Sequence, residues 1–173
     1  MTSCRKDNWS VECENALNEQ IALEYWASYQ YHLMWSYFDR SEVGLAKVAK
    51  YFKDASDEER SHAHKFMEYQ NLRGGQVKLT DLKNINLDYL QDSSKNDLLL
   101  SLEKALEMEQ FVYKGLLKLH KSAENDPAFS DFIESEYLEE QVKAINELAK
   151  QISQLQRIGK DGHGVWHFAD DFH

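Results

Sequence analysis

One proline and seven glycines in 173 residues leave little material for turns. That scarcity argues against a turn-rich β fold and favours long, uninterrupted helices. Two cysteines, Cys4 and Cys13, lie near one end and cannot make a disulfide framework. No stretch approaches the ~20 apolar residues of a membrane span. The first eight residues, Met1 to Asn8, lack the apolar run of a secretory leader. The expected setting is therefore a reducing cytosol, with no membrane partner. Basic charge is also scarce: 20 Lys and Arg face 30 Asp and Glu, a net charge of -10, which argues against a nucleic-acid partner. An acidic surface keeps a protein soluble and also attracts cations. The length suits a single domain over 1–173, with enough chain to bury a core.

What the chain does have is helical periodicity. Leu45, Val48, Ala49, Phe52, Ala55, Ala63, Phe66 and Met67 step by three and four, as one buried helix face does. Followed through its centre, that face carries Glu59 and His62. An inward carboxylate without a partner costs several kcal/mol, so it must be paired, protonated or bound to a cation.

The same interruption recurs. A first helix over about 11–38 has the stripe Leu17, Ile21, Glu24, Ser28, Tyr31, Trp35, Phe38. The second runs from about 45 to 72 and ends at Arg73-Gly74-Gly75, a cation beside a left-handed glycine cap. A third over about 94–121 carries Glu109 amid Leu98, Leu102, Ala105, Leu106, Val112, Tyr113, Leu116 and Leu119. Asp126-Pro127 starts a fourth that continues to about 157. Its stripe is Phe132, Tyr137, Leu138, Gln141, Ala144, Ile145, Leu148, Ile152, Leu155. Val165 to Ala169 forms a short fifth helix. Residues 39–42 are too short a link for anything but antiparallel neighbours. Residues 76–93, by contrast, can run the bundle's length. A helix of ~28 residues spans about 42 Å, and ~18 extended residues reach roughly 60 Å. The second and third helices are then parallel.

The expected fold is thus an all-α four-helix bundle with a long crossover between the second and third helices and a short C-terminal fifth. Four inward polar positions at mid-length point to one shared site. Oxygen ligands with one imidazole suit iron or manganese. One metal position is expected from Glu24, Glu59 and His62. The other leans on bridging Glu59, with Glu109, Glu58 and the neutral, weaker Gln141.

At these residues the chain resembles the eukaryotic ferritins of the catalytic heavy-chain type. The likeness is carried by Leu23-Glu24-Tyr25-Trp26-Ala27-Ser28-Tyr29-Gln30-Tyr31, Glu58-Glu59-Arg60-Ser61-His62-Ala63, Gln70 to Gly75, Asp131-Phe132-Ile133-Glu134, and Tyr137 to Ile145. Bundles of this kind take a Glu from each of two helices and Glu-x-x-His from the other two. Here Gln141-x-x-Ala144 replaces the second Glu-x-x-His.

The resemblance implies a homo-oligomeric shell of 24 copies, able to co-assemble with other ferritin subunits. Ferrous iron would be oxidised by dioxygen at a dinuclear site and stored inside as ferric mineral. It implies that Glu24, Glu59, His62 and Glu109 ligate iron and that Glu58 and Gln141 assist. Tyr31 would hydrogen-bond to the site, Asp131 and Glu134 would line a three-fold cation channel, and His120 would stand near its entrance. Val165, Ala169 and His173 would line a four-fold axis. Ser61 and His64 stand where relatives carry further cavity-side acids. Two competing readings are a non-catalytic shell subunit and a dimetal oxidase acting on an organic substrate.

Overall fold

A computed structural model describes residues 4–159 and 162–172. Helix α1 spans Val11–Phe38, α2 Ala46–Leu72 and α3 Asp97–Ser122. Helix α4 runs Pro127–Ile133, passes through a π turn at Glu134–Leu138, and continues over Glu139–Ile158. Helix α5 is Gly162–Asp170. No strand occurs among the described residues.

The helix starts follow from side chains that accept otherwise orphaned N–H groups. Ser10 Oγ accepts from Cys13 N at 3.0 Å and Asn96 Oδ1 from Leu99 N at 2.8 Å. The Asn96 cap explains why α3 begins at Asp97, a few residues later than periodicity alone suggests. Asp126 caps α4, accepting from Phe129 N at 3.1 Å, with Pro127 in the first turn. At the far end of α2, Gly74 takes φ 76°, and a side chain there would also strike the Arg5 backbone.

The π turn resolves an oddity in the stripe of α4. Phe132 and Tyr137 both face the core although they stand five apart, one more than an α-helix allows. One extra residue in the turn brings both rings inward, where Phe132 stacks on Tyr69 at 4.1 Å and Tyr137 on Phe66 at 3.9 Å.

Side-chain partners give the topology. Glu14 meets Gln70 and Ser28 meets Ser56, so α1 and α2 are antiparallel. Cys13 meets Ser122, Glu19 meets Lys118 and Tyr37 meets Asp97, so α1 and α3 are antiparallel too. The second and third helices are therefore parallel, as the reach of the crossover requires. His120 meets Glu134 and Glu109 meets Gln141, which sets α4 antiparallel to α3.

Two amides on α1 hold the crossover. Asn18 donates to Gln76 O and accepts from Lys78 N, both at 2.9 Å. Gln30 donates to Asn86 O at 2.8 Å and accepts from Asn86 N at 3.2 Å. Each pairs with the extended chain much as a neighbouring strand would. One 3₁₀ turn, Asp88–Gln91, precedes α3.

Helix α5 folds back on its own bundle. Ala169 is buried, and Phe172 packs edge-on against Tyr51 of α2 at 4.7 Å. Ala169 therefore faces its own chain, where the resemblance implies a four-fold axis; His173 lies outside the described residues.

Candidate metal centre

The interruptions of the four stripes meet inside the bundle. Glu24, Glu59, His62, Glu109 and Gln141 are each 1% to 7% exposed, and fully buried Leu102, Ala105 and Phe66 stand on the same helices. Single ligand atoms of Glu24, Glu59 and His62 lie within 4.8 Å of one another. His62 Nδ1 is 3.3 Å from Glu59 Oε2. Glu24 Oε1 accepts from Gln20 Nε2 at 2.8 Å, while its Oε2 is buried with no partner. An orphaned carboxylate oxygen aimed into a cluster of acids is a poor arrangement for a bare protein and a good one around a cation.

Glu109 is held from two sides. The Tyr31 phenol donates to Oε1, and the Gln141 amide donates to Oε2 and, at 3.1 Å, to the Glu109 carbonyl. Gln141 thus turns its Nε2 toward Glu109. Tyr137 donates to His62 O at 3.1 Å and sets its ring edge-on to the imidazole at 5.4 Å, anchoring the helix turn that carries the histidine. On the opposite side, Ser28 and Ser56 each donate to the other's carbonyl at 2.7 Å, fixing α1 against α2 beside the site.

The electrostatics follow from burial. Desolvation pushes the Glu24 carboxyl well above the usual carboxylate range, and the charge of Glu59 pushes it further. Glu59 is raised in the same way, by burial first and then by Glu109. Glu109 is also raised by burial, against which the Tyr31 and Gln141 hydrogen bonds pull downward. The Tyr31 phenol is held strongly protonated by burial and by Glu109.

The folded, metal-free protein keeps protons on Glu24 and Glu59 that the unfolded chain releases above pH 4.5, the ordinary carboxylate value. The folded state then binds more protons than the unfolded one, so stability falls as pH rises through that window. Thermal denaturation in chelator should show this decline, and Glu24→Gln should flatten it. Equal slopes in the two proteins would contradict the assignment of a buried, protonated Glu24.

A second group stands outside the first. Glu58, His62 and Glu140 also bring single ligand atoms within 4.8 Å, and Glu58 and Glu140 are exposed. His62 belongs to both groups, with Nδ1 toward Glu59 and Nε2 3.5 Å from Glu140 Oε2. The sequence pattern pairs Glu58 with Glu109, whereas the structure puts it beside Glu140, a residue outside the expected ligand set. The available signal was Glu140 immediately before Gln141, where a helix turns the next side chain toward the rim.

The remaining site residues lie toward one end of the bundle. His120 Nε2 is 2.6 Å from Glu134 Oε1, and Asp131 and Glu134 are both exposed on α4. They form no group with the buried acids.

Three helices bring carboxylates to a shared midpoint, one of them with an imidazole, and the fourth brings Gln141; the molecule is a helical bundle with a candidate carboxylate–histidine metal centre. The Ferritin family pattern, a ferritin-like domain, matches residues 14–158. The chain is 49% identical over 168 residues to "Ferritin, chloroplastic" of Malus baccata var. xiaojinensis, covering 96% of this chain and 66% of that protein. It is 52% identical over 159 residues to "Ferritin-2, chloroplastic" of Zea mays, covering 91% and 63%. "Ferritin-4, chloroplastic" of Arabidopsis thaliana is 49% identical over 168 residues, covering 96% and 64%. This chain belongs to the ferritin family. It spans slightly less than two thirds of the length of these curated relatives.

The relatives correct one expectation. Cysteine scarcity and the first residues suggested the cytosol, but these relatives are chloroplastic by name. Neither feature distinguishes cytosol from plastid.

Proposed function

We propose that this protein stores iron and oxidises it on the way in, taking ferrous ions as substrate at the buried group and passing their electrons to dioxygen. The observation that carries this reading is the convergence of Glu24, Glu59 and His62, with Glu109 adjoining, at one buried point with an orphaned carboxylate oxygen. Glu59 is the bridging acid, since it senses both Glu24 and Glu109. In this account Glu24, Glu59 and His62 hold one ion, while Glu59, Glu109 and Gln141 hold the other. Gln141 is neutral, so the second ion is held more weakly and can leave. Tyr31 orients Glu109. Glu58 and Glu140 receive ions at the rim, which suits passage better than permanent retention.

Iron suits the donor set, because carboxylate oxygens and a single imidazole favour it over metals that prefer thiolates. The intact acid set weighs against a non-catalytic shell subunit. Gln141 and Ala144, in place of a fuller ligand set, weigh against an oxidase of organic substrates. Assembly into a hollow shell of 24 copies, alone or with other ferritin subunits, is part of the proposal, as is a plastid setting like that of the named relatives. No described helix is long and apolar enough to cross a membrane.

The test is ferrous oxidation followed by absorbance on this chain alone, with its mass measured in solution. Rapid oxidation by a very large closed assembly supports the reading. A small oligomer that oxidises ferrous iron no faster than buffer overturns it. A further outcome concerns entry. Glu134, beside His120 and exposed on α4, is proposed to line the cation channel. Glu134→Ala should slow iron uptake several-fold in stopped-flow mixing while leaving oxidation of pre-loaded ions unchanged; an unaltered uptake rate would remove Glu134 from the path.

A further inference from the structure

We propose that the groove between α1 and α3, away from the metal centre, binds the anion of an aromatic mononucleotide. A cavity of about 520 Å³ opens there, walled on its third side by the crossover. That volume lies within the range of small-molecule sites. A second cavity, of about 750 Å³, continues it along the same two helices, and Phe111 and Lys114 line both.

The floor is aromatic. Trp26 of α1 and Phe111 of α3 meet edge to face, with centroids 5.8 Å apart, and Phe111 is 52% exposed. An exposed phenylalanine beside a half-buried tryptophan leaves ring surface in water that a planar base could cover. Base–aromatic stacking tolerates any base, because each has a π face.

The rim carries three lysines against two acids, Asp81 and Glu107, a small positive excess in a chain whose net charge is -10. Lys83 from the crossover and Lys104 and Lys114 from α3 surround the first cavity. Lys104 is taken up by Glu107 at 2.9 Å. Lys83 and Lys114 hold no carboxylate within ion-pair distance among the described residues. Both line the same cavity, so a phosphate seated there can draw on two ammonium charges at once. Lysine serves a phosphate as a point charge, free to adjust on its flexible stem. Beside Lys83, Asn84 adopts a left-handed backbone with φ 60°, a conformation that asparagine takes more readily than most residues. It lines the same cavity. Aromatic floor, unpaired cations and mononucleotide-scale volume coincide at this groove. None of these residues belongs to the metal centre, so the inference is independent of the proposed oxidation.

Equilibrium dialysis on the intact protein tests it, with flavin mononucleotide and adenosine monophosphate as probes and riboflavin and adenosine as their uncharged counterparts. Saturable binding of either nucleotide is expected, at least tenfold tighter than its uncharged counterpart. Lys114→Glu, on the surface, should weaken it about tenfold or more, the effect of losing one charge-assisted contact. Phe111→Ser should weaken it too, without changing helix content by circular dichroism. Preference for flavin over adenine, or the reverse, identifies which nucleotide the groove suits. Riboflavin binding as tightly as flavin mononucleotide, indifference to Lys114→Glu, or no saturable binding of either nucleotide would each overturn the proposal.

Discussion

Glu59→Ala and His62→Ala should each abolish fast ferrous oxidation and still give a folded, assembled protein. Glu59 interacts with both Glu24 and Glu109, so in the proposed account its removal takes a ligand from both ion positions at once. His62 is the imidazole of the inner group, and it links that group to the outer acids. Losing a residue that merely orients a ligand typically costs 10- to 100-fold; losing the bridging ligand itself should cost on the order of 100-fold or more. Folding survives because a buried carboxyl among other acids adds little to the metal-free bundle. Burial and like charges already hold it protonated. The packing around it, with Phe66 on Tyr137 and Ser28 on Ser56, does not depend on that carboxylate. Stopped-flow absorbance gives the rate, and sedimentation gives the assembly. Normal oxidation in both variants would remove these residues from the chemistry.

The largest stability effect is expected far from the acids. Arg73 follows the last turn of α2, and Asp126 caps the first turn of α4. They form an ion pair, with side chains 11% and 1% exposed. The Arg73 guanidinium also lies 4.6 Å from the Trp9 ring centroid and 5.6 Å from that of Tyr69. Arg73→Met leaves the Asp126 carboxyl buried without its counterion. Removing one member of such a pair typically costs 3–5 kcal/mol, a large share of the ~5–15 kcal/mol that holds a domain folded. Arg73→Met with Asp126→Asn should recover much of the loss, because asparagine still caps the helix and carries no charge. Denaturant titration of the two single variants and the double variant gives the coupling energy. A single-variant cost below about 1 kcal/mol, the ordinary range of a surface pair, would show that the pair contributes little.

The Arg73–Asp126 pair also shows where sequence reading stops. Each residue was legible locally, Arg73 as a cation at a helix end and Asp126 as a cap before Pro127. That each is the other's counterion depends on how α2 and α4 are laid side by side, which no local pattern encodes. The π turn in α4 is similar. The five-residue step from Phe132 to Tyr137 was visible, but the extra residue became apparent only where both rings were seen to stack against α2. The amide clasps of Asn18 and Gln30 on the crossover left no signal at all, since a lone amide on a helix reads as a solvated side chain.

What the sequence determined by itself was the set of helices, their order, and the residues that interrupt each buried face. Periodicity and caps act over one or two turns, so they survive without tertiary context. Only the tertiary structure decided how those interruptions divide: Glu24, Glu59 and His62 as one buried group, Glu109 held by Tyr31 and Gln141 beside it, and Glu58 drawn out to Glu140 at the rim. The division turns on the rotation and depth of four packed helices. Rotation of a helix by one residue, about 100°, carries a side chain from core to rim.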